Sequence, residues 1–214
     1  QVEYEQIAEA TNNKTLAQSQ FQRFMQHLAE GLKILQVNTT RASDLIQSFK
    51  QVSVDQSNVA LREFDLRSYM QDVLLTLRPK LNKTGCRLDF RCPEQVTMFT
   101  DPGALAQIVT NLVFNALLHG LDKHPHPEIY LHFSVDSRMI CLQFGDNGCG
   151  MEPRALSHIF EPFFTTKRNE GGTGLGTHIV FNLVTASLKG QIETHSKPGE
   201  GLHYTMTFPI RRDN

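Results

Sequence analysis

Asn111, Asn115 and His119 stand four positions apart in Asn111-Leu-Val-Phe-Asn115-Ala-Leu-Leu-His119. That spacing places two carboxamides and an imidazole on one face of a helix. Carboxamide oxygens are hard, neutral ligands, suited to a Mg²⁺ ion that is already bound to phosphate oxygens and keeps several waters. The same spacing also serves a polar helix face or a pair of buried, hydrogen-bonding amides. A second group, Asp146-Asn147-Gly148-Cys149-Gly150-Met151, follows an apolar run ending at Phe144. A fixed acceptor at a strand end, beside glycines that let backbone approach a flat ligand, fits the exocyclic amine of adenine. It equally fits a tight turn capped by its own aspartate.

The third group, Ile159-Phe160-Glu161-Pro162-Phe163-Phe164-Thr165-Thr166-Lys167, places phenylalanines in a segment that Pro162 keeps from forming a regular helix. It reads as an exposed docking surface or as a plug in the domain's own core, with Lys167 within reach of a terminal phosphate. The fourth, Gly171-Gly172-Thr173-Gly174-Leu175-Gly176-Thr177, precedes an apolar periodic stretch. Glycine turns entering a helix offer unpaired N–H groups and a positive dipole end to phosphate oxygens. A dinucleotide fold would place such glycines after the first strand of a βαβ unit, and a Walker A loop would follow them with Gly-Lys-Ser/Thr. Neither context is present.

These groups need elements to hold them. From Leu16 to Val52 apolar residues recur every three or four positions without proline, which predicts a long helix. Its single apolar stripe requires a partner, either a second copy of the helix or the surface of its own domain. Residues 1–14 are polar and read as frayed helix or loop. After a polar break at 55–58, Asp65 caps a helix to about Leu81, and a domain boundary falls between 57 and 58. Strands are predicted at 86–92, 96–100, 129–135, 139–144, 191–196 and 203–208, with Asp136-Ser137 as a hairpin turn. Helices are predicted from Asp101-Pro102 through His119 and from Leu175 to Leu188. Interspersed helices and hairpins imply a mixed sheet with helices on one face.

Composition narrows the class. The 214 residues, 40% hydrophobic, suffice for one core and a smaller appendage. Lys and Arg number 21 against 22 Asp and Glu, so no basic field draws in nucleic acid. Apolar runs fall short of the roughly 18–20 residues that cross a bilayer. The expectation is a soluble, cytoplasmic piece of a longer protein, making no membrane contact itself. Its four cysteines lack C-x-x-C spacing and suit reduced thiols. His124-Pro125-His126-Pro127 reads as a surface loop rather than a metal tract.

As an ordered set the four groups resemble the N box, first glycine box, phenylalanine box and second glycine box of the sensor histidine kinase ATP-binding domain. That domain belongs to a wider group including gyrase, HSP90 and MutL, from which the phenylalanine box sets the kinases apart. The resemblance covers about residues 64–210, with Phe64-Asp65-Leu66, Asp101 and the Gly199-Glu200-Gly201 hairpin ending in Phe208-Pro209. It implies an α+β fold, a two-layer sandwich with a mixed, mostly antiparallel sheet, preceded by a long stem helix. It implies a helical stem at 1–57 and an ATP-binding catalytic domain at 58–214, with ATP between the N-box helix and a lid of residues 152–173.

By motif position, Asn115 and Asn111 would hold Mg²⁺ and Asp146 would accept from the adenine amine. Gly148 and Gly150 would line the base pocket, and Gly172, Gly174, Leu175 and Gly176 would cradle phosphates. His119, Thr165, Thr166, Lys167, Thr173 and Thr177 complete the ATP-binding set, while Phe160 and Phe163 would dock the lid on the stem. Leu118, Thr177 and His203-Tyr204 depart from the usual Lys, Leu and Thr-Phe.

Residues 15–55, including Arg41-Ala42-Ser43-Asp44-Leu45-Ile46, resemble the second helix of the dimerisation and phosphotransfer hairpin. None of the nine histidines is followed by Glu or Asp, the pair that marks a phosphoacceptor. His27, followed by Leu28-Ala29-Glu30 with no proline, reads as an interface or solvated helix histidine rather than an acceptor. The resemblance therefore implies a catalytic fragment that positions the ATP γ-phosphate for a histidine outside this chain. It implies a homodimer through the stem, a response-regulator receiver domain as partner and a parent open to anchoring in the inner membrane. A degenerate nucleotide site on a dimerising scaffold, or a serine kinase of the anti-sigma or mitochondrial dehydrogenase-kinase type, are the rival readings.

Overall fold

Asp65, Asp101 and Gly85 punctuate the chain into its first helices. The computed structural model describes residues 13, 18–54, 61–167 and 172–211, leaving aside the side chains of 37 and 40–54. It divides into two units, Gln1–Phe49 and Lys50–Asn214. Helix α1 (Gln18–Val54), whose residues 18–49 belong to the first unit, presents Phe21, Met25, Leu28, Leu32 and Leu35 as exposed side chains. Their spacing alternates four and three residues, the seam of a left-handed coiled coil. Of residues 1–14, read above as frayed helix or loop, 1–12 and 14 lie outside the described residues.

The first strand of the second unit is β1 (Arg62–Asp65). The Asp65 side chain then accepts the Ser68 N–H at 2.8 Å and opens helix α2 (Leu66–Thr84). Gly85, left-handed at φ 67°, closes that helix. Strands β2 (Arg87–Arg91) and β3 (Thr97–Thr100) lead to Asp101, whose carboxylate caps helix α3 (Pro102–Asn115) through Gly103 N–H. The helix does not continue regularly to His119. Residues Ala116–Gly120 widen into a π turn, in which Leu121 N–H reaches back five residues to Ala116 O.

Strands β4 (Glu128–Asp136) and β5 (Met139–Asp146) form a hairpin whose turn is Ser137-Arg138, one residue later than expected, with Ser137 at φ 56°. A short helix α4 (Pro153–Leu156) lies in the segment between β5 and the second glycine turn. Helix α5 (Gly176–Asn182) ends in a second π turn, Leu183–Ser187. Strands β6 (Gln191–Ser196) and β7 (Leu202–Pro209) complete the unit.

The main sheet has the order β2-β4-β5-β7-β6, with β2 parallel to β4 and every other pair antiparallel. The fold is the expected α+β sandwich with a mixed sheet. β1 and β3 form a separate antiparallel pair that the apolar pattern does not predict. One face of the sheet carries Leu131, Phe133, Ile140, Leu142, Phe144, Met206 and Phe208, all buried against Leu66, Met70, Leu105, Ile108, Leu112, Ile179 and Val180 of the helices. The other face bears Tyr130, His132, Gln143, His203 and Thr205, which is the alternation of a sheet covered on one side.

Candidate functional site

The site forms where β5, the end of α3 and the start of α5 converge. β5 delivers Asp146 into a nearly dry position, 4% exposed, where its Oδ1 accepts Gly148 N–H at 2.8 Å. Burial raises its carboxyl pKa, against opposing pulls from the N–H groups of Gly148 and Leu202 and from His203 and His124. The capped turn seen as one option in the sequence is thus formed. Gly148 packs onto the π turn: a β-carbon there would strike Gly120 O, and Cys149 N–H donates to that carbonyl at 3.0 Å.

Beneath this turn lies the β6–β7 hairpin. Gly150, at φ 66°, abuts Lys197 O, and Gly201, at φ 75°, abuts Asp146 O, so neither has room for a β-carbon. Ser196, 5% exposed, bridges the two segments. Its hydroxyl accepts Met151 N–H at 2.9 Å and donates to Gly201 O at 2.6 Å.

Along α3 the same polar face carries Asn111 and Asn115, and it extends one turn back to Gln107. The Nδ2 of Asn115 and the Nε2 of Gln107 are buried without a hydrogen-bond partner among the described residues. A β-carbon on Gly176 would lie 2.9 Å from Asn115 Oδ1 and 3.0 Å from Nδ2, so the second glycine turn sits directly over this amide. Gln107 carries no motif, and its four-residue spacing from Asn111 is the signal in the sequence that places it on this face.

The π turn also meets the segment after the phenylalanines. His119 Nδ1 lies 3.3 Å from Thr166 Oγ1, and Lys167 Nζ pairs with Asp122 at 2.8 Å. Gly172 N–H donates to Lys167 O at 3.1 Å, and a β-carbon at Gly172 would strike Thr165 Oγ1. Asn115, His119, Thr165, Thr166, Lys167, Gly172 and Gly176 are thus brought together, with Asp146 and Gly148 joined to them through Gly120. Gly171 and the lid residues 168–170 lie outside the described residues.

Other residues of the second glycine box face elsewhere. The Thr173 hydroxyl caps Leu175 N–H at 3.4 Å, and the Leu175 side chain is buried in the core. Thr177 Oγ1 donates to Ile159 O at 2.5 Å, and His178 Nδ1 lies 3.0 Å from Phe160 O. Asn182 Nδ2 is 3.1 Å from His178 Nε2; as an amide donor there it leaves the His178 proton on Nδ1, aimed at Phe160 O. The start of α5 therefore grips the phenylalanine segment. Phe160 rests against Phe181 with ring centroids 5.1 Å apart, Ile159 is buried, and Phe163, at φ 66°, is 58% exposed. His178 gave no motif signal in the sequence.

The class these features define is a two-layer α+β sandwich with buried polar groups gathered at the end of one helix and beside two glycine turns. Residues 100–212 match the family described as histidine kinase-, DNA gyrase B- and HSP90-like ATPase, and the chain belongs to that family. It is 30% identical over 174 residues to the autoinducer 2 sensor kinase/phosphatase LuxQ of Vibrio parahaemolyticus serotype O3:K6 (strain RIMD 2210633), a match covering 78% of this chain and 20% of LuxQ. The chain thus spans about a fifth of the length of this curated relative. Full-length ShkA in complex with AMPPNP superposes with TM-score 0.65 at 21% identity, over 97% of this chain and 44% of that one. The histidine kinase ThkA in complex with response regulator protein TrrA superposes with TM-score 0.65 at 18% identity, over 97% and 66%. Among the described residues no helix is long and apolar enough to cross a membrane.

Proposed function

We propose that this chain is the catalytic part of a sensor histidine kinase, residues 58–214 binding Mg-ATP and positioning its γ-phosphoryl group for a histidine outside the chain. The observation that carries the reading is the Asn115 amide, whose Nδ2 is buried without a partner among the described residues and lies under Gly176. An unpaired buried amide costs about 1–3 kcal/mol, a penalty that a bound phosphate oxygen would remove. With the amide turned over, its oxygen would be available to a cation instead. Mg²⁺, where bound, would neutralise charge on the transferred phosphoryl group, and the oxygens of Asn115 and Asn111 are the hard ligands suited to it.

The chain's own residues do the rest. Asp146, whose carboxylate holds the turn through Gly148 N–H and also draws on Leu202 N–H, is the acceptor for an adenine amine. The turn from Gly172 to Gly176 supplies backbone N–H groups for phosphate, and His119, Thr166 and Lys167 line the same edge. Phosphoryl transfer needs little covalent help from protein, so positioning and charge neutralisation are the catalytic contribution. The α1 seam pairs with a second copy of the helix, and a receiver domain takes the phosphoryl group onward; the similar kinase ThkA forms a complex with the response regulator protein TrrA.

Radiolabelled ATP tests this directly. Residues 1–214 alone should retain no acid-labile phosphate, whereas the longer parent should carry it on a histidine. Acid-labile phosphate on the chain itself would contradict the reading.

A further inference from the structure

Tyr204 is 2% exposed, yet its hydroxyl has no hydrogen-bond partner among the described residues. Phe144 lies opposite it on β5, with ring centroids 6.2 Å apart, and a phenyl ring would satisfy that packing. On the helix-facing side of β5 and β7, Ile140, Leu142, Phe144, Met206 and Phe208 are wholly apolar, and only Asp146 and Tyr204 carry polar ends. Asp146 stands two residues beyond Phe144 on the same face, which makes it the diagonal neighbour of Tyr204. The Asp146 charge is felt at the phenol: burial first, and then that carboxylate, raise its pKa, so the hydroxyl stays protonated and available as a donor.

We propose that the Tyr204 hydroxyl is a specificity-determining group of the nucleotide site, donating to the ring nitrogen next to the amine that Asp146 accepts. The inference rests on the nucleotide-binding reading above. A 6-aminopurine presents a donor, its amine, beside an acceptor, its ring nitrogen. Asp146 as acceptor and Tyr204 as donor match that pair in order, whereas a 6-oxopurine reverses it. Buried polar groups that pair only with the correct ligand discriminate strongly, because a wrong ligand leaves them unpaired. The hydroxyl shares with the Asn115 amide a buried polar end that has no partner among the described residues.

The test compares the parent chain with Tyr204→Phe, titrating each calorimetrically with ADP and with 1-deaza-ADP, which lacks that ring nitrogen. The parent should bind ADP about tenfold more tightly than the deaza compound, and Y204F should bind both alike, at the weaker level. The Tm of ligand-free Y204F should equal or exceed that of the parent, since an unpaired hydroxyl has been removed from the core. Unchanged ADP affinity in Y204F would overturn the proposal. So would weaker ADP binding that still discriminates against the deaza compound. A parent that binds neither nucleotide would sink the nucleotide reading itself, a result distinct from both.

Discussion

Asn115 and Gly176 are in contact range across two helices: a β-carbon on Gly176 would stand 2.9 Å from the Asn115 carboxamide oxygen. Gly176 is not held at positive φ, so backbone strain plays no part in its requirement. Gly176→Ala should therefore act by crowding, lowering stability by about 1–3 kcal/mol and displacing the amide. Adding Asn115→Ala should restore most of that loss in thermal unfolding while leaving nucleotide affinity low. Additive destabilisation would place the clash elsewhere.

Asp146 sets a pH dependence whose sign follows from its burial. Its folded-state pKa is raised, so the native state holds a proton that the unfolded chain releases, and stability falls as pH rises from the ordinary aspartate value through the raised one. Asp146→Asn removes the buried charge and should be at least as stable as the parent at neutral pH, the difference shrinking in acid. ADP binding should behave oppositely, weakening as pH falls and Asp146 takes up its proton. In D146N, Nδ2 faces the amine donor to donor, and affinity should drop about 10- to 100-fold. A pH-independent affinity would remove Asp146 from the base contact.

Ser196 joins the first glycine turn to the β6–β7 hairpin through one hydroxyl. Ser196→Ala leaves Met151 N–H and Gly201 O without that partner and should cost about 2 kcal/mol. For a chain of this size the Tm should fall by about 4–8 °C, and the Met151 amide should exchange faster with solvent. Unchanged exchange at Met151 would mean that the bridge does not hold the turn.

The α1 seam gives an independent prediction. Leu28→Glu with Leu32→Glu puts charge on two adjacent seam positions that are exposed in a single chain. Sedimentation should show a dimer for the parent and a monomer for the double variant, with ADP affinities equal to within about twofold because the altered residues lie in the other unit. A monomeric parent would remove the stem partner.

Parts of this molecule are legible in sequence because they are local. Asn111 and Asn115 declare a shared face through helical spacing, and Asp65, Asp101 and Asp146 are each followed within three residues by the N–H that they cap. β6 is found at its full extent because polar turns flank it. What escapes is non-local or irregular. β1 offers only Phe64 as a half-buried residue, so no alternation marks it, and it exists through pairing with β3. The parallel contact of β2 with β4 joins segments with a helix between them, and nothing within either segment announces it. The π turn at Ala116–Gly120 has helical periodicity, yet it is what brings Gly120 under Gly148 and His119 beside Thr166. The grip of Thr177 and His178 on the phenylalanine segment spans 18 residues and depends on the glycine turn between them.

The central claim is that the Asn115 amide, whose Nδ2 has no partner among the described residues, contacts a bound nucleotide. Calorimetric titration of the parent chain and of Asn115→Ala with ADP and Mg²⁺ tests it most directly. The parent should bind with one-to-one stoichiometry, and N115A about 10- to 100-fold more weakly with an unchanged circular dichroism spectrum. Equal affinities, or no heat from the parent at saturating nucleotide, would contradict it.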